Sequence, residues 1–597
     1  MDRRYFLAGG LCLSALATCD GTSSGLARLI VPGRRPDQDG DRIDADVVVY
    51  GTTPAGIVAA VSAANLGASA VLVAGWRDRH LGGMLAGGLG WTDFRDIDAF
   101  GGYSRQVIEQ LAAAGGMPRN RYAFDPVVAG PVFQRMVRAA GVPVLWADGA
   151  IEAPVTDRRI QCIRTTSGHR IGGRMFIDAS YEGDLMALAH VAFRTGREAA
   201  DARNPLNGYR GATNGDLRKG KPVGAFRIHP ISPFRADGSG RLLPGVTMAP
   251  SRPVGSADDA VQTYCFRLTM TRQPDLRADL PATRPDGYAE EDYEVLLRDI
   301  DYRQRQGSLY GRDWTFARDL VKAEEIAPGI YDMNNRGFMS LDAIGLSQNY
   351  PGADYAERER IWKAHETYTR GWFHTLAYST DPRIPRGLQA EVREWGLVKG
   401  HYAVPHPNDM PGWPSQLYVR EARRLDNGLA WTAEDLANVD GVTPRRGSIV
   451  AMASYWQDSH ATQRVAVKDR TVGEWGLCNE GLVMAASGGR YGRSPLPFDL
   501  MVPHRDQCAN LLVPFCVAST HQAFATIRME LSSMALAEAA GSAAALAVVS
   551  PDPVDIQDTP YDSLKRILQS NRGVLSGVSV VEDLKRRLQR RLAMAKA

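Results

Sequence analysis

The fold is decided by one short stretch near the beginning of the chain: Asp46-Val47-Val48-Val49-Tyr50-Gly51-Thr52-Thr53-Pro54-Ala55-Gly56. The β-branched run before Gly51 predicts a strand. An Ala-rich helix to about Leu66 follows the glycine turn, and a second strand runs from about Ser69 to Val73. Strand, glycine turn, helix and strand within about thirty residues predict a Rossmann-type dinucleotide site.

Each residue of the glycine turn has a predicted structural role. Gly51 permits the tight turn, and Gly56 lets the helix approach the strand. Pro54 suits the first helical turn, where its missing N–H is not needed. The free N–H groups and the positive dipole end of the helix then face a pyrophosphate. Two departures from the usual fingerprint are Thr53 at the second glycine position and Ala74 where a ribose-binding acid is expected; Asp78 is the nearest substitute.

The turn and the run Leu81–Gly90 together resemble the bacterial FAD-dependent oxidoreductase family with a GxTPAG turn and a GGM loop, whose Rossmann domain is glutathione-reductase-like. Thr at the second glycine position is normal there. Further matches follow in the same order at 177–185, 416–424, 458–460 and 510–541. The resemblance implies non-covalently bound FAD. It implies this set of cofactor-binding residues: Gly51, Thr53, Pro54, Ala55, Gly56, Gly82, Gly83, Met84, Gly183, Asp184, Cys516 and Gly541.

A chain of 597 residues implies more than one domain. The resemblance implies an α/β fold with a discontinuous FAD-binding domain, built from residues 44–204 and 500–550. We expect residues 205–499 to form an inserted α+β cap or substrate domain, with helices over Tyr355–Thr369 and Leu388–Trp395. Leu511–Val513 is predicted to be a buried strand that returns the chain to the flavin.

Flavin dehydrogenation moves a hydride to the ring, and the remaining substrate proton needs a base, commonly His. The resemblance places His521, as a candidate base, and Arg528, as a candidate cation, beside the flavin. His460 is a second candidate base, and Tyr418 and Arg420 are candidates for the substrate pocket. The structural alternatives are a His521 bonded to backbone and an Arg528 paired with Glu530. For Tyr418 and Arg420 the alternative is a helix face on which Arg420, Arg423 and Arg424 are solvated or paired.

Residues 1–25 have a charged start, about a dozen apolar residues and a small-residue exit, which is the pattern of a signal peptide. Arg3-Arg4 before Tyr5-Phe6-Leu7 resembles the twin-arginine signal for folded cargo; a general secretory leader is the alternative. Cys19 resembles a lipoprotein acceptor, and cleavage after Ala17 competes with it. Residues 26–43 read as a linker. We therefore expect a periplasmic or cell-envelope protein.

Several classes of function are disfavoured. The net charge of +3 and the lack of basic stretches mixed with aromatics argue against a nucleic-acid partner. The seven cysteines form no CxxC pair, which argues against a metal or c-type haem site. A GxSxG pattern at 21–25 and a phosphate-loop imitation at 215–221 both lack the required flanking elements. The basic tail, 551–597, reads as a helix that either packs on the protein or lies on a membrane surface.

These features together predict an exported dehydrogenase that passes hydride from a sugar, polyol or related alcohol to FAD. Electrons would leave to a quinone or a soluble carrier, since no built-in relay is visible. Two alternatives stay open at this point. One is a lyase or isomerase that uses FAD transiently or structurally, and the other is a non-catalytic flavin-binding protein of the envelope.

Overall fold

The structure is a computed structural model that describes residues 37–39, 41–117, 120–210, 228–306, 315–402, 410–437, 448–469, 473–485, 493–549 and 554–576. The predicted signal peptide, most of the linker, the loop 215–221 and the end of the basic tail lie outside these residues. Within the tail, Tyr561–Ser570 is a helix that buries Leu564 and Leu568.

A parallel sheet forms the centre of the molecule. Its strands are, in spatial order, Val144–Leu145, Ala70–Val73, Arg42–Tyr50, Arg170–Asp178 and Leu511–Leu512, and every neighbouring pair is parallel. The early part of Arg170–Asp178 also pairs antiparallel with Cys162–Thr165, which pairs with Ala150–Glu152. The predicted strands are confirmed, with bounds that differ by a few residues.

The returning segment completes this sheet and covers it. Phe176 pairs with Leu511, so a strand more than three hundred residues along the chain joins the sheet of the dinucleotide turn. The helix Glu530–Val549 then packs against the helix Pro54–Asn65, so closely that a Cβ on Gly541 would lie 2.1 Å from the Ala59 carbonyl oxygen. Among the described residues, Glu530–Val549 alone has the length and mean hydropathy, 1.4, of a membrane span, but 83% of that window is buried in the protein. It is therefore accounted for as a core helix.

The central strand is apolar because both of its faces are covered. Val47, Val48, Val49 and Tyr50 are all 0% exposed. Continuous apolar runs of this kind are typical of parallel strands between helical layers. The remaining helices beside this sheet are Gly83–Ala86, Gly102–Gly115, Ala129–Ala139, Asp184–Leu188 and His521–Ile527.

The inserted part is a mixture of antiparallel strands and helices. Its largest sheet has the order Arg277–Asp279, Gly396–Val398, Leu268–Thr271, Ile330–Asn335 and Val321–Ala327. Its helices are Glu294–Arg305, Tyr355–Tyr378, Arg386–Arg393 and Ala433–Ala437, so both helices predicted there are confirmed and the first extends further. Smaller sheets join Thr247–Met248, Gln463–Lys468 and Trp475–Glu480, Ile449–Ala453 with Ser494–Pro497, Gln457–Ser459 with Val483–Ala485, and Phe193–Arg194 with Arg424–Leu425.

The parallel strands all end at one edge of the central sheet, which we call the carboxyl edge. Tyr50, Val73, Leu145 and Asp178 are the last residues of four of these strands. In open α/β sheets, ligands bind outside the carboxyl ends of the strands. The segments that leave this edge are therefore where a dinucleotide site is expected.

Candidate active site

Two glycines of the dinucleotide turn are sterically required. Gly51 has φ +103°, and a Cβ there would lie 2.8 Å from the Ser180 backbone nitrogen. A Cβ on Gly56 would lie 1.9 Å from the Gly51 carbonyl oxygen. The turn, the helix and the loop after Asp178 are packed backbone to backbone, which leaves the helix N-terminus facing the carboxyl edge.

Thr53 shows why the second glycine of the fingerprint is dispensable here. Its φ of −63° is accessible to any residue, so no glycine is needed at this position. Its hydroxyl accepts from Gly56 N–H at 3.1 Å and donates to the Ala179 carbonyl at 2.7 Å. Thr53 is thus the helix N-cap, followed by Pro54 and the fully buried Ala55.

Asp78, the nearest acid in sequence to Ala74, binds the turn. One oxygen of its carboxylate accepts from the N–H groups of Thr52, at 2.7 Å, and Gly75, at 2.8 Å. Ala74 itself is fully buried. Asp78 therefore holds the turn through backbone N–H groups and also borders the cleft.

The glycine loop Gly82–Met84 is anchored beside this turn. Gly82 N–H donates to the Thr52 carbonyl at 2.8 Å, and a Cβ on Gly83 would lie 2.4 Å from the Tyr181 hydroxyl oxygen. That hydroxyl accepts from Met84 N–H at 2.9 Å and donates to Glu530 Oε1 at 2.6 Å. Burial raises the pKa of Glu530 to about 7.

The other predicted cofactor residues differ in their positions. Gly183, with φ +71°, and Asp184 lie in the loop and helix start at the carboxyl edge. Cys516 lies behind that loop, with its thiol 3.4 Å from the Tyr181 carbonyl oxygen, and Gly541 lies at the crossing of two helices. Cys516 and Gly541 therefore pack beneath the site and do not face the cleft.

A narrow cleft lies outside the turn. Its walls are Tyr50, Thr53, Gly75, Trp76, Arg77, Asp78, Ser180, Tyr181, Glu182, Asp184, Trp362 and Gln416. The backbone cradle at Gly51 and Gly56 and the capped helix N-terminus fit the pyrophosphate of a dinucleotide. Trp362 belongs to the inserted helix Tyr355–Tyr378, so the insertion forms one wall of the cleft.

The glycine run after Met84 leads from this cleft to a buried polar network. A Cβ on Gly87 would lie 2.3 Å from the Gln416 Cβ, and one on Gly88 would lie 2.2 Å from the Arg267 carbonyl oxygen. Arg267 pairs with Asp332, with its Nε 2.9 Å from Oδ1, and Asp332 also accepts from Gly90 N–H at 3.3 Å. The loop therefore connects the cofactor turn to charged side chains of the insertion.

Four of the five predicted catalytic residues meet in this network. Arg528 Nη1 donates to the Tyr418 hydroxyl at 2.8 Å, and Nη2 donates to the Asp458 carbonyl at 3.1 Å. The Arg420 guanidinium lies 4.7 Å from the centre of the Tyr418 ring and 3.0 Å from Asp342 Oδ1. His460 Nδ1 lies 2.8 Å from Asp342 Oδ2, which brings His460 into the same cluster.

The electrostatics around His460 favour a neutral imidazole. Burial and the positive charge of Arg420 lower the pKa of His460. Burial opposes ionisation of Asp342, but Arg420 and His460 hold the pKa of that carboxyl at about 2. With Nδ1–H donated to Asp342, the Nε2 lone pair is left on the other side of the ring, 3.8 Å from Asp458 Oδ2.

His521, the fifth, has a different environment. Its Nδ1 lies 2.8 Å from Glu421 Oε2, and its Nε2 lies 3.0 Å from Ser459 Oγ. Glu421 is completely buried and also lies 3.2 Å from Arg424 Nε. Both ring nitrogens of His521 are thus occupied by protein groups, next to the strand that carries Asp458 and precedes His460.

Sequence reasoning missed several acids of the site. Asp93 follows the glycine run and is partly exposed, whereas Asp342 and Glu421 are buried. Desolvation by the surrounding protein and the charge of Asp458 raise the pKa of Asp93 to about 6. Asp93 lies just after Gly87–Gly90, and this position is a sequence signal that could have identified it. Asp342 and Glu421 have no such signal in the sequence, because only folding brings them close to the histidines.

The remaining cysteines lie in the core of the described part of the chain. No group of three or more His, Cys, Asp or Glu side chains there could hold a metal ion. Cys162, Cys265, Cys478, Cys508 and Cys516 are buried free thiols. Their burial is that of small core residues.

The Rossmann sheet carries a glycine cradle at its carboxyl edge, next to a buried polar network. This arrangement is typical of dinucleotide-binding enzymes. The sequence profile described as FAD dependent oxidoreductase matches residues 46–568. The chain belongs to the FAD-dependent oxidoreductase family, and its cofactor is FAD.

No curated protein sequence matches the chain, and three solved structures that it resembles are distant from it. A flavin monooxygenase of Stenotrophomonas maltophilia is 16% identical, with 23% of this chain and 37% of that one covered and a TM-score of 0.17. A geranylgeranyl bacteriochlorophyll reductase-like protein of Thermoplasma acidophilum is 15% identical, covering 27% and 48%, TM-score 0.19. GidA of Aquifex aeolicus is 16% identical, covering 26% and 33%, TM-score 0.20. The chain thus spans less than half the length of these proteins.

Proposed function

We propose that the protein is an FAD-dependent dehydrogenase that oxidises a polar alcohol, such as a sugar or polyol. The observation that carries this proposal is the pair formed by His460 and Asp342. A neutral imidazole whose Nδ1–H is held by a carboxylate has its other nitrogen available as a base. Bound FAD supplies the two-electron acceptor that takes a hydride from the substrate C–H bond.

His460 and the residues around it each have a separate role in this proposal. The imidazole Nε2 accepts the proton of the substrate O–H, and Asp342 stabilises the imidazolium that results. Arg528 holds positive charge between Tyr418 and Asp458, where negative charge that develops on a bound ligand would be stabilised. His521 keeps Ser459, and with it the neighbouring His460, in place.

A polar substrate is favoured by the groups that reach the accessible side of the network. Asp93, Tyr418 and Tyr455 are partly exposed, in contrast to the buried Arg420 and Asp342. Carboxylate and phenol groups bind hydroxyl groups well and offer little to an apolar ligand. A substrate with several hydroxyl groups would satisfy them together.

The test is an anaerobic screen of the purified holoprotein against sugars, polyols and simple alcohols, for example galactose, mannitol and glycerol. A substrate should bleach the yellow flavin, yield an oxidised product and support turnover with a redox dye. Turnover without net redox change would point to a lyase or isomerase. No bleaching by any compound, in a protein that binds FAD normally, would leave a non-catalytic flavin-binding protein.

We also propose that the protein is exported folded by the twin-arginine route and passes electrons to a quinone or soluble carrier. The support is the leader sequence and the need to load FAD before export. Replacing Arg3-Arg4 with Lys-Lys should trap the protein in the cytoplasm, and continued export would indicate the general secretory route. Lipid attachment at Cys19 would be lost in Cys19→Ser, which separates it from membrane association through the basic tail.

Non-covalent attachment of FAD belongs to the same proposal. Acid precipitation should release all of the yellow colour as FAD. Colour that stays with the precipitated protein would contradict it.

A further inference from the structure

Ala74 stands at the position where the Rossmann fingerprint has a ribose-binding acid. In Rossmann sites an acid at the end of the second strand accepts hydrogen bonds from the ribose hydroxyls. Three carboxyl groups line this cleft, namely Asp78, Glu182 and Asp184. Their hydrogen bonds distinguish them.

Asp184 already forms ion pairs with two arginines. Its Oδ2 lies 2.8 Å from Arg358 Nη1, and its Oδ1 lies 2.7 Å from Arg423 Nη1. Both arginines come from the insertion, and Asp184 is buried. Asp184 therefore fastens the insertion to the carboxyl edge, and a ribose would have to displace a buried ion pair to reach it.

Asp78 is committed to the turn. Its Oδ2 accepts from Thr52 N–H and Gly75 N–H, at the place where the backbone faces the pyrophosphate. Losing Asp78 would release the turn before any question of ribose arises. Its negative charge also lies on the side of the cleft where two phosphate charges must be accommodated.

Glu182 remains, and its chemistry suits a diol. It is partly exposed to the cleft, and Tyr350 donates to its Oε1 at 3.3 Å. Burial and the nearby charge of Asp184 raise the pKa of Glu182 well above its usual range, with Arg358 opposing the shift. A carboxylic acid that keeps its proton at neutral pH both donates and accepts hydrogen bonds, and it adds no charge near the diphosphate.

We propose that Glu182, on the loop after the fourth parallel strand, binds the adenosine ribose hydroxyls of FAD in place of the acid absent at Ala74. Tyr350 of the insertion positions its carboxyl group, so the inserted segment takes part in cofactor binding. The proposal depends on FAD binding and is independent of which substrate the enzyme oxidises.

The test measures the binding of ADP, 2′-deoxy-ADP and 3′-deoxy-ADP to the full-length apoprotein by calorimetry. The wild type should prefer ADP over at least one deoxy analogue by about tenfold, the value of one hydrogen bond of roughly 1.4 kcal/mol. Glu182→Ala should bind ADP about tenfold more weakly and lose that preference. Glu182→Gln, which still donates and accepts, should keep most of it.

The controls separate the alternatives. Glu359→Gln alters another acid at the same edge, paired with Arg77, and should leave the preference unchanged. Asp78→Asn keeps one oxygen that can accept from the Thr52 and Gly75 N–H groups, so it should hold the turn and keep the preference even if total affinity falls. Should Glu182→Ala fail to fold, Tyr350→Phe, which loosens Glu182 without removing it, should lower the preference about threefold.

Two results would overturn the proposal. One is a preference for ADP that survives in Glu182→Ala, and the other is a preference that disappears in Asp78→Asn alone. A wild type that binds ADP and both analogues equally would overturn it as well. Failure of the dehydrogenase proposal would appear only in the substrate screen, so the two outcomes are distinguishable.

Discussion

His460 and Asp342 are joined by a contact of 2.8 Å between Nδ1 and Oδ2, although they lie more than a hundred residues apart in the chain. This pair fixes the tautomer of the imidazole and leaves Nε2 as the basic nitrogen. We therefore propose His460 as the base, a residue that sequence reasoning ranked second to His521.

We expect His460→Asn to slow flavin reduction by substrate about 10²- to 10⁴-fold, the range typical of general-base catalysis. FAD content should stay close to that of the wild type, and the melting temperature should fall modestly because the buried Asp342 loses one partner. Anaerobic stopped-flow measurement of flavin bleaching gives the rate. His504→Asn, an exposed histidine with 60% of its side chain accessible, is the matched control and should behave like the wild type. A His460 variant with normal reduction rates would place the base elsewhere.

We expect His521→Asn to act mainly on stability. The substitution leaves Glu421 completely buried with one fewer partner, which costs about 1–3 kcal/mol of unfolding free energy. Denaturant unfolding, followed by flavin release, measures the loss. If this variant keeps its stability and its FAD but reduces the flavin at least a hundredfold more slowly, His521 is the base after all.

The Glu530 carboxyl predicts a pH-dependent stability. Its pKa is raised from about 4.5 to about 7, so its contribution to folding is fully present below pH 4.5 and is lost as the pH rises through 7. Glu530→Gln removes this dependence, and its stability relative to the wild type should increase by about 2–3 kcal/mol between pH 5 and 8. Melting curves across this range provide the measurement.

Glu152→Gln changes an exposed carboxyl whose side chain is 55% accessible, and it serves as the control for Glu530→Gln. It should follow the wild-type curve. A Glu530 variant that also follows the wild-type curve would mean that Glu530 titrates normally in the folded protein.

We expect Gly51→Ala to abolish stoichiometric FAD binding. The new Cβ would lie 2.8 Å from Ser180 N in a backbone conformation that side chains rarely adopt, so the turn must move. Gly130→Ala, where a Cβ has no neighbour within 4 Å, is the matched control. Flavin content per chain after purification decides the matter; normal occupancy in Gly51→Ala would mean that the cofactor turn lies elsewhere.

The dinucleotide part of the fold could be derived from sequence because its determinants are local. A β-branched strand, Gly51, Gly56 and an Ala-rich helix are consecutive, and each restricts the backbone of its neighbours. The returning strand Leu511–Leu512 was also predictable, but only from the family resemblance. Local sequence pattern does not indicate that this strand pairs with a sheet formed by residues far earlier in the chain. In the sequence, Thr53 is visible only as a departure from the glycine motif. The structure explains why Thr53 is tolerated there, through its φ and its hydroxyl bond to the Ala179 carbonyl.

The site chemistry was decided by tertiary structure. Nothing near His460 in the sequence indicates Asp342, and nothing near His521 indicates Glu421. The same is true of Glu182, whose proton affinity comes from Asp184 and the surrounding protein. Residue type and local order determined by themselves that this chain builds a dinucleotide cradle, because steric limits on the backbone act between neighbours. Which histidine can accept a proton, and which acid stays neutral, depends on charge and desolvation over a few ångströms, and only the folded chain brings those groups within that distance.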